Sequence, residues 1–274
     1  MNNKMDDRIQ SYKGNEYKIR DIHNRLLCLL DEFDKYCRER NISYSLAYGS
    51  LLGCVRSHGF IPWDDDVDVM MSRSDFNKFI DSMTNSEEQL SNDCQLICPS
   101  FLNKIYKTYG DGMSIFIDIF PIDNVPDNKW LEKYKLYFIQ AIRQIIIGRN
   151  SRNKTLFRRY TRKAIAYFFS FPFSKSQLRK IYQLVCSWGN DKATSRVCCY
   201  CTTNKSYGRY HSADETAEIV YVDFEDIKMP IIAKYDSYLK REYGNEYMTP
   251  PKEGDRHPDH INLGNEDSSD IWSV

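Results

Sequence analysis

A chain of 274 residues with 42% hydrophobic and 14% aromatic content can bury a substantial core, as one large domain or two small ones. Lys+Arg and Asp+Glu both total 38, so the formal net charge is zero and no chain-wide attraction to nucleic acid exists. No run approaches the roughly 20 apolar residues that span a bilayer, the charged start MNNKMDDRIQSYKG carries no secretory pattern, and nine irregularly spaced cysteines read as reduced thiols; the expected location is cytoplasmic.

Residues 1–14 read as a flexible tail. From Tyr17 to Arg40 the apolar residues Ile19, Ile22, Leu26, Leu29, Leu30, Phe33 and Cys37 recur at helical spacing, the pattern of an amphipathic helix, with Asn41 as its stop signal. Ile42 to Ala47 is a short strand that Gly49-Ser50 breaks, and Ser50 is placed to cap a helix running to about Ser57. After a loop at Gly59 and Pro62, Val67 to Met71 is a second strand, with Asp66 and Asp68 on one face of the pleat and Val67 and Val69 on the other. A helix capped by Ser74 runs to Met83. Strands follow at Cys94–Cys98 and Met113–Phe120, the second an apolar run, MSIFIDIF, holding one carboxylate, Asp118. Pro121 and Pro126 bracket a turn, and helices follow at Trp130–Gly148 and Ser174–Trp188. Strands at Val197–Thr202 and Ile219–Phe224, a helix at Ile231–Tyr243 and an irregular tail at Thr249–Asn262 complete the pattern.

Residues 149–173 differ from their surroundings. Arg149, Arg152, Lys154, Arg158, Arg159, Arg162 and Lys163 come without an acid among them, followed by AIAYFFSFPF. Two readings stand: a peripheral contact with the inner face of a membrane, aromatics at the acyl boundary and basic groups at anionic headgroups, or a helix whose aromatics enter the core while its basic face meets solvent or a negatively charged substrate.

The chemistry concentrates between Tyr44 and Met71. Asp64, Asp65, Asp66 and Asp68 crowd into five positions, and like charges so close repel unless a cation or basic ligand joins them. Asp66 and Asp68, at i and i+2 on a strand, point the same way and can share one hard cation; Mg²⁺ takes such oxygen ligands, with Mn²⁺ as the alternative. Asp118 is the candidate third ligand, since a lone Asp between Ile117 and Ile119 is costly to bury without a partner. A surface acidic loop would account for Asp64 and Asp65 but not for Asp68 inside an apolar strand. An EF-hand register fails because its sixth position, normally Gly, is Val69. Gly49-Ser50 at a strand-to-helix turn offers backbone N–H groups and a helix dipole to a phosphate; Arg56 can neutralise phosphate oxygens through paired hydrogen bonds, with Lys104 as a further phosphate candidate. Cys198, Cys199 and Cys201 lack the spacing of a structural zinc site and read as a buried strand.

GSLLGCVRSHGFIPWDDDVDV resembles the signature of the LicD family, which also includes fukutin and fukutin-related protein. FIDIFPID, residues 116–123, resembles the family's second motif, and LKREYGNEYMTPPKEGDRHPDH, residues 239–260, its C-terminal motif. The resemblance implies an α/β (α+β) nucleotidyltransferase-like fold: a mixed β-sheet flanked by helices, in one domain over 15–274. Its core would span about 41–125, a helical insertion about 126–192 and a C-terminal part about 193–274. It implies Gly49-Ser50, Asp66, Asp68 and Asp118 as the site. The activity it implies is transfer of a substituted phosphate, such as phosphocholine or ribitol phosphate, from a CDP-linked donor to a glycan or lipid-linked glycan hydroxyl. The rival readings are a nucleotide-sugar glycosyltransferase using Asp-x-Asp and a nucleotidyltransferase releasing pyrophosphate.

Overall fold

The computed structural model describes residues 9–12, 15–85, 90–91, 93–97, 101–150, 173–202, 209–258 and 260. A short hairpin, β1 (Gln10–Tyr12) against β2 (Asn15–Tyr17), leads into α1 (Ile19–Glu39). All seven apolar positions of the helical pattern in α1 are buried, none more than 4% exposed, so the stripe faces the core. The chain leaves α1 through Asn41 at φ 52°, a left-handed conformation that asparagine tolerates at a helix end.

Three elements follow in quick succession: β3 (Ser45–Leu46), α2 (Tyr48–Ser57) and β4 (Val67–Ser72). Next come α3 (Arg73–Asn85), β5 (Cys94–Ile97), β6 (Asn103–Thr108) and β7 (Ser114–Val125). The sheet order is β3-β4-β7-β6-β5, extended beside the far half of β7 by β8 (Arg196–Cys198) and then β9 (His211–Ser212). Among the described residues β4 against β7 is the one parallel pairing; the others are antiparallel. A mixed sheet flanked by helices is the α+β arrangement that the family resemblance implies.

Several local expectations need correction. The helix α2 begins at Tyr48 with Ala47 at its N-cap position, so Ser50 lies within the first turn and is not a cap. The start of α3 is held by Ser72 rather than Ser74: the Ser72 hydroxyl accepts from the Asp75 N–H at 3.1 Å. Pro121 makes no turn, because β7 continues through it to Val125. Its missing N–H costs no antiparallel ladder bond: β6 pairs with β7 only up to Ile119, and β8 takes over at Asp123. The strand β6 was obscured by lysines at 104 and 107. The helix expected from Ile231 starts at Tyr235, as α6 (Tyr235–Tyr243), because β10 (Ile219–Phe224) and β11 (Ile227–Ile232) form a hairpin ahead of it.

Beyond β7, helix α4 (Lys129–Asn150) packs against α5 (Lys175–Ser187), whose start carries a capping box between Ser174 and Gln177. Lys135, buried in α4, donates to the Asn124 carbonyl at 2.9 Å and the Trp188 carbonyl at 2.8 Å, pinning the end of β7 and the end of α5 to one helix. Arg73 grips Asp123 through two hydrogen bonds, at 2.7 and 2.6 Å, fastening α3 to β7. Cys198 and Cys201 are buried free thiols. Most of the basic-aromatic stretch expected at 149–173 lies outside the described residues, and among those described no helix is long and apolar enough to cross a membrane.

Candidate active site

The register of three adjacent strands builds the site. Asp68 of β4 stands opposite Asp118 of β7, and Asp118 stands opposite Lys104 of β6. Directly opposed residues share a face of the sheet, so two carboxylates and an ammonium form a row across it. Asp66, two residues before Asp68, joins them: Asp66, Asp68 and Asp118 each place a carboxylate oxygen within 4.8 Å of the others. The sequence-predicted triad is therefore brought together.

Electrostatically the cluster is under-neutralised. Burial, then the neighbouring Asp66, Asp118 and Asp64 carboxylates, hold the Asp68 carboxyl well above its usual range, and the Gly49 N–H only partly opposes this. Burial also pushes Asp118 up to about 7, against the pull of Lys104. Lys104, 1% exposed, sits 2.7 Å from Asp118 Oδ1 and donates to Oδ2 at 3.0 Å. It was expected at a phosphate and instead lies on a carboxylate, with its ammonium also 3.7 Å from the Phe116 ring centre. Asp118 Oδ1, although close to that ammonium, is buried and accepts no hydrogen bond of acceptable geometry. Three carboxylates whose oxygens converge, with one ammonium among them, are an all-oxygen donor set that fits a hard divalent cation.

The first turn of α2 faces these acids. The Gly49 N–H donates to Asp68 Oδ2 at 3.3 Å, and the Asp68 N–H donates to the Ser50 hydroxyl at 2.8 Å, so the Gly-Ser turn and the acidic strand are stitched together in both directions. A Cβ at Gly49 would stand 2.9 Å from Asp64 Oδ2 and 3.6 Å from Asp68 Oδ2, which is why the backbone can approach only without one. Tyr48, just before, is held at φ 41°, a strained conformation for a bulky residue; its ring packs on Phe120 at 4.7 Å and Tyr238 at 6.2 Å.

Asp64 and Asp65 have separate roles. The Asp64 carbonyl lies 2.7 Å from His23 Nε2, whose ring stacks on Phe60 and whose pKa burial lowers to about 4. Asp65, 5% exposed, accepts the His260 backbone N–H at 3.2 and 3.0 Å on its two oxygens, and the His260 ring lies 3.4 Å from Asp66 Oδ2. The C-terminal arm thus closes over the acids. Arg56, half-buried, donates to the Tyr247 carbonyl at 3.4 Å and lies 5.9 Å from the Trp63 ring centre, on which Arg256 also rests at 5.4 Å. Burial holds the Arg56 guanidinium below its usual value, with Arg256 adding repulsion. Two cations at one indole beside an acidic cluster suit a ligand that carries its own negative charge and metal. Tyr243 of α6, far along the chain and 45% exposed, is a residue that the sequence does not point to: its phenol is raised where crowding at its hydroxyl end adds to the charges of Asp68 and Asp64. A cavity of 550 Å³ lined by Ser45, Met70, Ser72, Asn124 and Ile232 includes none of the triad.

Residues 41–145 match the family described as LicD/FKTN/FKRP, nucleotidyltransferase domain. The chain is 31% identical over 260 residues to the lipopolysaccharide cholinephosphotransferase LicD of Haemophilus influenzae, covering 86% of this chain and 94% of that protein. An uncharacterized protein of Rickettsia typhi is 27% identical over 145 residues, 50% of this chain and 46% of its own length.

Proposed function

The chain belongs to the LicD family, and we propose that it is an enzyme of the LicD type acting in cell-surface polysaccharide modification. It would move a substituted phosphate, phosphocholine-like or polyol phosphate, from a CDP-linked donor to a glycan or lipid-linked glycan hydroxyl. The observation that supports this reading best is the meeting of Asp66, Asp68 and Asp118 beside the Gly49 turn of α2. The three aspartates would hold Mg²⁺ or Mn²⁺, which supplies positive charge to donor phosphate oxygens.

The chain's own groups do the rest. Gly49, without a side chain, lets the first turn of α2 come close to the acids, its own N–H on Asp68, so that a phosphate bound at the metal would lie beside the positive end of the helix. Ser50 fixes the acidic strand to that turn, and Arg56 balances donor charge from the other side. Asp118 would bind the metal, take the proton of the attacking hydroxyl, or do both. Lys104, held on Asp118, limits the net negative charge that the donor must approach. The acceptor oxygen bonds to the distal phosphorus, the bond to the bridging oxygen breaks, and CMP leaves.

The test is CMP release from CDP-choline, CDP-ethanolamine, CDP-glycerol and CDP-ribitol, with and without Mg²⁺ or Mn²⁺. Asp66→Asn and Asp68→Asn should each lower release by about a hundred- to a thousandfold, a typical cost of losing a key electrostatic group. Asp118→Asn should do the same, read beside its thermal melt because it leaves Lys104 buried without that carboxylate. Wild-type rates in all three variants would sink the reading. So would turnover of a nucleotide sugar to a nucleoside diphosphate, or of CTP to pyrophosphate, in parallel reactions: these are the signatures of the glycosyltransferase and nucleotidyltransferase rivals.

A further inference from the structure

Helix α4 carries its aromatic residues on the wrong side for a core. Its inward face is complete without them: Lys135, Ile139, Arg143 and Ile146 are all buried. Opposite lie Trp130, Tyr134, Tyr137 and Phe138, exposed by 69, 54, 65 and 51%. At 100° per residue these four span about 100° of the helix circumference, centred away from the buried stripe. Lys133 is exposed along the edge of this face. On α5, which packs against α4, Leu184 is 68% exposed, and Trp188, fixed to α4 through Lys135, is 49% exposed.

We propose that this outward face of α4, with the exposed end of α5, is a docking surface for the interface of an anionic lipid membrane. Trp and Tyr pair an apolar body with a polar tip, which suits the headgroup boundary as it suits a protein interface, so charge decides between occupants. From Arg149, in the last turn of α4, to Lys163 the sequence holds seven basic residues and no acid, complementary to anionic headgroups. Neither point depends on the phosphotransfer reading, and the surface shares no residue with the aspartate site.

The test uses the full chain and vesicles of phosphatidylcholine, with or without phosphatidylglycerol. Wild-type protein should co-sediment with the anionic vesicles, at least tenfold more weakly with phosphatidylcholine alone, and less as salt rises. The double variant W130E/Y137E should lose at least tenfold in vesicle partition while keeping its circular dichroism spectrum, thermal melt and CMP release in solution. The proposal is overturned if the wild type fails to bind anionic vesicles at low salt, or if the double variant binds as well as the wild type. It is equally overturned if light scattering shows a dimer that the double variant makes monomeric without any vesicle binding, since a second copy would then be the occupant.

Discussion

Asp68 pays for its position with three acidic neighbours and receives one backbone N–H in return. Because its pKa is raised in the fold, the folded protein binds more protons than the unfolded chain between the ordinary carboxylate range and the raised value. Stability from this group is therefore intact at low pH and falls as pH rises through the folded pKa. Asp68→Asn removes the charge yet can still accept from Gly49. Without divalent cation the variant should melt higher than the wild type at pH 8, by about 2–4 °C for each kcal/mol relieved, and the gap should close at pH 4. Millimolar Mg²⁺ at pH 8 should raise the wild type and leave the variant nearly unmoved. A differential scanning fluorimetry series over pH checks both; a variant that melts lower at pH 8 defeats the argument. At this scale the triad was legible because a carboxylate inside an apolar strand has few uses. Lys104 on Asp118 was not, since that pairing depends on the register of β6, whose lysines hide its alternation. His260 on Asp65 was hidden by a separation of 195 positions.

The helix α2 shows how one element serves packing and chemistry with different glycines. At Gly53 an added Cβ would lie 2.6 Å from the Gly59 carbonyl oxygen and 2.8 Å from the Ile61 nitrogen, backbone atoms that cannot step aside. Gly53→Ala should therefore cost about 1–3 kcal/mol by overpacking, more than the roughly 1 kcal/mol of helix propensity it gains. Urea denaturation measures the difference, and a neutral or stabilised variant would show that the 59–61 loop yields. That loop is in turn buttressed by Glu225, whose carboxylate accepts the Phe60 N–H at 3.0 Å. Elements with strong periodicity, such as α1, could be read directly from sequence. The starts of α2 and α3 were misplaced because serine hydroxyls that look like caps can also reach across to a strand, as Ser50 does to Asp68. The β10–β11 hairpin was missed in part because Pro230 interrupts its second run while pairing with Tyr221 at a tolerated position.

Over the whole molecule, the site joins segments from the first third, the middle and the last residues described. Asp65 is the clasp for the last of these. Asp65→Ala should free the arm after Thr249, speeding proteolytic cleavage there several-fold while the melt of the core changes little; unchanged cleavage kinetics would mean that the arm is held elsewhere. The sheet carries a different consequence, one of time. Asp68 and Asp118 lie about fifty residues apart and meet across a parallel pairing, which no hairpin turn can make and which costs loop closure before any contact repays it. The acids are strangers until β7 arrives beside β4, so their repulsion opposes a late step of folding. Refolding followed by stopped flow should be faster in Mg²⁺ than in EDTA, and Asp68→Asn should erase that difference; equal rates for the wild type would remove the link. A difference that Asp68→Asn erases would make the cation an agent of the chain's biogenesis, acting at the closing of the sheet before any substrate is met.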